Sequence, residues 1–413
     1  MAPEEIENVN FGTNPRYVDY GKLYENRMPL LWLAAERGSA RGEDTFRIFK
    51  RENAAWLDDY CLFMAIKKHF GMAYWLEWPD EGARRHREDA LAHYRTLLAH
   101  DVDCYAYIQF LFYNQWDSLK AYCNEKGIRI IGDVPIYVAP DSADVWAEPS
   151  QFLLNGDGKP DFVAGVPPDY FSADGQLWGN PLYDYEAMER DGWSWWIRRI
   201  GGAQRLYDAI RIDHFRGFSD YWAVPAAAKT AAEGHWVKGP GLKLVKVLTD
   251  WFYGQDFIAE DLGAPTDALI KLLKDSGLPG MKVLEFAFDS EEFTDYLPHT
   301  YTKNCVCYTG THDNAPLLEW ETDCDPKTLK RAKKYLSVRG NASLAEAMIR
   351  GGMESKALLF IAQIQDHLGL GKHNRTNFPG TDHGNWEWRL LPEEADKKLA
   401  VKLYSLTEES NRI

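Results

Sequence analysis

The chain has 413 residues, 45% of them hydrophobic and 26% charged, with a formal net charge of −15 at pH 7. That composition belongs to a soluble globular protein with a sizeable core and excludes a disordered one. A surface this acidic repels phosphate backbones and anionic lipid, so the expected partners include no nucleic acid and no membrane.

Residues 1–16 form a short lead-in that has neither the basic start nor the apolar run of a secretory signal. Residues 17–104 read as a helical subdomain. Trp56, Tyr60, Phe63 and Met64 recur there at helical spacing, and the run stops at Gly71. The remainder, 105–413, changes to a pattern of helix, glycine and apolar strand. Asn114 to Lys126 is predicted helical, Gly127 suits its C-cap, and 128–134 follows as a buried strand. Residues 209–213 and 256–260 repeat that strand. Pro265 opens the next helix and Gly277 closes it. Met281 to Phe288 and Asn304 to Tyr308 complete a set of five strands. Strands alternating with helices predict a parallel sheet.

Two connections are longer than one helix requires. Residues 139–192 contain Val163 to Phe171 and Gly175 to Pro181, both rich in Gly, Pro and aromatics, and are expected to form a substrate loop. Residues 316–375 read as a helical insertion. The six cysteines form no Cys-x-x-Cys pair, and Cys305 and Cys307 share one strand face, where packing is the expected role. No metal site and no cofactor are expected, and the sparse thiols point to a reducing compartment, hence the cytoplasm.

Acidic residues mark the strand ends: Asp133, Asp213 and Glu260, with Asp313 just beyond the fifth strand. A closed barrel builds its site from such ends, whereas an open doubly wound sheet collects ligands only at its switch point. The expected fold is therefore α/β, a (β/α)8 barrel with helical insertions. Aromatics reach 14%, with 16 Trp and 22 Tyr, residues whose flat apolar faces and polar edges suit sugar rings as well as cores.

On a strand, residues two apart share a face, so Arg211 and Asp213 point together. The arginine favours the ionised carboxylate that a nucleophile requires, although an isolated Arg-x-Asp is more often a structural ion pair. Glu260, on the face of Ile258, is in a setting where desolvation suits a general acid. At the junction Thr311-His312-Asp313-Asn314 both His312 and Asp313 can reach a site. Taken singly, each is more often structural. Together they supply a carboxylate nucleophile, a carboxylic acid and a third carboxylate for sugar hydroxyls, the set that retaining glycosidic cleavage needs.

These segments resemble the amylomaltase, or disproportionating enzyme, family of 4-α-glucanotransferases. The matching blocks are Gly132 to Val138, the 163–183 loop, Arg211 to Phe218, Ile258 to Gly263, Gly310 to Asn314, Thr376 to Thr381 and Gly384 to Arg389. The resemblance implies Asp213 as nucleophile, Glu260 as acid/base and Asp313 as transition-state stabiliser. It further implies that Arg211, His312, Asp169, Gln176, Trp178, Phe286 and Asn377 bind substrate, and that the partners are α-1,4-glucans and maltooligosaccharides. Members of that family carry two barrel strands ahead of the part that matches, so the resemblance also implies a barrel lacking its first two strands and a complementary N-terminal fragment as a partner. Three other readings stay open: an α-glucan hydrolase, a glucan-binding protein without turnover, and a magnesium-dependent enolase-type barrel, which would need a Lys or His base beside its metal.

Overall fold

The computed structural model describes residues 2–42, 44–168, 172–263, 265–289 and 294–413. The chain divides into two compact units, one of Met1–Val9, Asn26–Phe257 and Thr266–Ser276, the other of Asn10–Glu25, Ile258–Pro265 and Gly277–Ile413.

In the first unit, helices Asp44–His69 and Ala99–Glu125 pack side by side. Phe46, Phe49, Leu57 and Cys61 recur three, four or eight residues apart on one face of the first helix and are buried. Phe46 meets Tyr107 edge-on at 5.0 Å, and Phe49 meets Phe110 at 5.6 Å. Trp56 does not join this core: it is 37% exposed and leans on Tyr60 and Tyr113. Gly71 and Gly127, which follow the two helices, have φ of +67° and +76°. A side chain would strain both turns.

Seven strands begin in this unit: β1 (Ile131–Val134), β2 (Phe162–Val166), β3 (Gln176–Pro181), β4 (Ala209–Ile212), β5 (Asp220–Pro225), β6 (His235–Lys238) and β7 (Asp256–Ala259). They form a sheet in the order β1-β4-β7, with β1 and β4 parallel, and a second sheet in the order β3-β2-β5-β6, whose pairs are all antiparallel. All four residues of β4 are buried, as a strand covered on both faces must be. The 139–192 connection is less irregular than its Gly and Pro content suggested. It supplies β2 and β3, which β5 and β6 extend into the antiparallel sheet.

The second unit holds β8 (Gly280–Val283), β9 (Cys305–Tyr308) and β10 (Leu359–Ile361), parallel and in the order β10-β9-β8. The apolar run from Met281 is a strand only as far as Val283. Leu284–Phe288 winds into a 3₁₀ turn, which a short continuous apolar run cannot announce. Alternation along β9 divides two cores. Cys305 and Cys307 enter a cluster with Leu284, Leu317 and Met348, while Val306 and Tyr308 enter one with Ile258, Met281 and Val283. Burial pushes the Cys305 thiol up to about 11 and Cys307 up to about 12, so both pack as inert apolar groups. Residues Asn10–Glu25 are tied to the C-terminal segment by a bridge between Tyr17 and Trp388 and by the Arg16–Glu394 ion pair at 2.6 Å. Among the described residues, no helix is long and apolar enough to cross a membrane.

Candidate active site

In the first unit the site residues gather at the C-terminal ends of β1 and β4. The register pairs Asp133 with Arg211, and alternation along β4 places Asp213 beside the same guanidinium. Arg211 is buried, 6% exposed, and its Nη1 donates to Asp133 Oδ1 and Oδ2 at 2.6 Å and to Asp213 Oδ1 at 2.8 Å. The two carboxylate side chains are 37% and 38% exposed. One nitrogen thus holds two carboxylates whose remaining surface faces outward. That arrangement fixes the direction in which the partly exposed Asp213 carboxylate points.

His214, one residue on, adopts the left-handed conformation (φ +51°), which turns the chain out of the strand. Its ring meets Trp178 edge-on at 4.9 Å, and Trp178 also lies 6.2 Å from Tyr137. Burial pushes the His214 imidazole down to about 4, with Asp213 opposing that shift. Near pH 7 the ring is therefore neutral. Gln176 and Trp178 share a face of β3, and the Trp178 indole donates to Gln176 Oε1 at 3.1 Å. Asp169 lies outside the described residues.

In the second unit Glu260 follows β7 and is 8% exposed, with its Oε1 accepting the Leu262 N–H at 2.7 Å. The neighbouring Asp261 turns away, as alternation requires, and accepts the Met281 N–H at 2.7 Å. Asp313 stands on the turn after β9. Asn377 donates to its Oδ1 at 2.6 Å, His312 Nε2 lies 3.4 Å from its Oδ2, and Arg375 Nη2 donates to its backbone oxygen. His312 packs against Trp386 at 4.9 Å. The structure thus brings His312, Asp313 and Asn377 together. Phe286 is partly buried and edge-on to Tyr296 at 5.9 Å, packed against the Met281–Val283 core.

Four residues beside these were not singled out as site residues from sequence. Asp133 had been noted as an acidic strand end, and the β1–β4 register adds that it shares Arg211. His214 and Trp386 sat inside matching blocks without an assigned role. Trp386 is 52% exposed at a positive φ of 59°, an aromatic face open to a sugar ring. Arg375 gave no signal, because its contact with Asp313 spans 62 positions of sequence.

A family profile described as 4-alpha-glucanotransferase matches residues 3–394. The chain belongs to the 4-alpha-glucanotransferase family. A 4-alpha-glucanotransferase of Streptococcus pneumoniae is 43% identical over 415 aligned positions, covering 100% of this chain and 82% of the relative. One from Thermus thermophilus is 44% identical over 407 positions, covering 96% and 81%. Among solved structures, the amylomaltase from Streptococcus agalactiae in complex with acarbose superposes with a TM-score of 0.94 at 38% identity, covering 100% of this chain and 83% of that one. The Corynebacterium glutamicum amylomaltase shares the fold at a TM-score of 0.73 and 19% identity, covering 95% and 60%. The α/β architecture described above is therefore that of the amylomaltases.

Proposed function

We propose that this chain moves α-1,4-glucan segments to the 4-hydroxyl of glucose or maltooligosaccharide acceptors by a retaining double displacement. The chain is a 4-alpha-glucanotransferase, and identity of 43% and 44% over 100% and 96% of the chain to enzymes of that activity favours transfer over hydrolysis or binding without turnover. The observation that carries the mechanism is the single Arg211 nitrogen clamping the partly exposed Asp213 carboxylate.

In this reading Asp213 attacks the anomeric carbon while Glu260 protonates the departing glucan oxygen. The bond to the leaving chain breaks as the ester at Asp213 forms. Glu260, now a carboxylate, takes the proton from an acceptor 4-hydroxyl, whose oxygen displaces Asp213. Asp313, oriented by Asn377, accepts sugar hydroxyls whose hydrogen bonds tighten as charge develops on the ring. Arg211, Gln176, Trp178, His312, Phe286, Asn377 and Asp169 bind glucose units.

The finer architecture belongs to the same proposal. The strands of the two three-stranded sheets, β1, β4 and β7 and then β8, β9 and β10, are read as members of a (β/α)8 barrel, with 17–104 and 316–375 as helical insertions and 139–192 as the substrate segment. A cytoplasmic setting is supported by six cysteines that are all free.

Incubation with maltotriose tests the activity. A ladder of longer maltooligosaccharides is expected, and Asp213→Ala should abolish it. Glucose and maltose alone, with no longer products, would sink the transfer reading.

A further inference from the structure

Beneath the turn that carries His312 and Asp313 lies a carboxyl group to which the reaction gives no role. Glu285 is the second residue of the 3₁₀ turn after β8 and is 4% exposed. Its backbone N–H donates to Thr309 O at 3.3 Å. Its side chain is hydrogen-bonded by Asn314, whose Oδ1 in turn accepts both the N–H and the hydroxyl of Thr311 at 2.9 Å. Gly310 closes over the same group. A Cβ on Gly310 would stand 2.9 Å from Glu285 Oε1 and 3.1 Å from Gln363 Nε2. The turn Gly310–Asn314 is therefore packed against Glu285 and Gln363 where Gly310 lacks a side chain.

No cation is hydrogen-bonded to this carboxyl, and two buried acceptor oxygens here, Glu285 Oε1 and Gln363 Oε1, have no donor among the described residues. A carboxylate would leave both wanting a proton, whereas a carboxylic acid turns one of the pair into a donor. The charged groups around it are Asp366, Arg375 and Asp289. Asp366 is itself buried, accepting from Thr309 Oγ1 at 2.6 Å and from the Leu317 N–H at 2.7 Å, so it adds negative charge beside Glu285. Arg375 is committed to Asn377 O and Asp313 O. Desolvation first and the Asp366 charge second hold the Glu285 carboxyl well above the usual carboxylate range.

We infer that Glu285 is a neutral positioning residue: as a carboxylic acid it seats Asn314, and through Asn314 and Thr311 it fixes the turn that presents His312 and Asp313 to the sugar. This rests on the reading of Asp313 as a transition-state group. It accounts for a buried acid on an otherwise apolar turn, and it predicts that an amide of the same shape can replace it while an apolar side chain cannot.

The experiment compares Glu285→Gln, Glu285→Ala and Glu285→Met with wild type and with Asp313→Asn, in maltotriose transfer and in thermal unfolding from pH 5 to 8. Glu285→Gln should keep kcat within about threefold, since Gln supplies the donor and the acceptor that the neutral acid supplies. Glu285→Ala, or Glu285→Met should the cavity prevent folding, should lose kcat by about 100-fold with a smaller change in KM, because the lost alignment acts in the transition state. In unfolding, a raised carboxyl pKa means that wild type loses stability as pH rises, so the Tm advantage of Glu285→Gln should grow from pH 5 to pH 8. A Gln variant as damaged as Ala, or wild-type kcat in a folded Ala or Met variant, would overturn the inference, as would a Tm difference that stays flat with pH. If Asp313→Asn keeps full transfer, the reading of Asp313 fails and this inference with it. If Asp313→Asn is inactive while the apolar variants are not, only this inference fails.

Discussion

Arg211 Nη1 lies 2.8 Å from Asp213 Oδ1, and both side chains leave the same face of the β4 chain. The guanidinium also holds Asp133, so removing it sets two carboxylates against each other as well as freeing Asp213, the proposed nucleophile. Arg211→Met should lower kcat by about 100-fold or more and cost roughly 3 kcal/mol of stability, the low end for a broken buried pair because both partners are more than a third exposed. Arg211→Lys should recover little activity, since a compact ammonium on a flexible stem does not hold its nitrogen where the rigid guanidinium places Nη1 between the two carboxylates. Steady-state transfer from maltotriose and urea unfolding measure the two effects. Unchanged kcat in either variant would remove Arg211 from the mechanism.

Asp313 depends on Asn377 in a comparable way. Asn377→Ala removes a charge-assisted hydrogen bond of the kind that contributes about 1.5–3 kcal/mol, so kcat should drop by about 10- to 100-fold. The change should fall on kcat more than on KM if the bond orients Asp313 for the transition state. A pure KM effect would instead make Asn377 a ground-state sugar contact.

The sequence made the Arg211–Asp213 relation legible because β4 alternates regularly and two-residue spacing has one geometric meaning. It did the same for Cys305 and Cys307. The Asn377–Asp313 bond was out of reach for pattern reasoning, since 64 positions separate the partners and only the tertiary fold joins them. The four-stranded antiparallel sheet was hidden for a different reason. In β2 and β3 the residues Gly165, Gly179 and Pro181 read as loop punctuation, yet Gly165 is needed there: a Cβ would stand 2.6 Å from the Gln176 carbonyl. The fold class came from strands buried on both faces, which leave long apolar runs. The strand end at Val283 did not, because the apolar run continues unbroken into the 3₁₀ turn.

His214 gives a pH signature whose sign is fixed by its shift. Its pKa falls from 6.5 to about 4 on folding, so between those values the unfolded chain binds the extra proton. Stability from this group is therefore complete above pH 6.5 and is lost as pH falls towards 4, by about 2–3 kcal/mol. His214→Asn tolerates the left-handed backbone and has no ring to titrate. Its Tm should fall less than that of wild type between pH 6.5 and 4.5. Parallel curves would mean that the imidazole is not desolvated.

The carboxylate pair also depends on an absent side chain. On the face of β1 opposite Asp133, Gly132 lets the Tyr207 ring lie against the strand, and a Cβ there would stand 2.0 Å from a ring carbon. Tyr207 cannot easily yield, because Trp116 meets it edge-on at 6.2 Å and donates its indole N–H to Leu206 O at 2.9 Å. Gly132→Ala should therefore cost about 1–3 kcal/mol as an overpacking change and shift β1 against β4, where Asp133 is paired with Arg211. Because the clash has one named partner, adding Tyr207→Ala should return part of the stability, a non-additivity that a double-mutant cycle in urea reads directly. Additive losses would place the strain elsewhere than between these two residues.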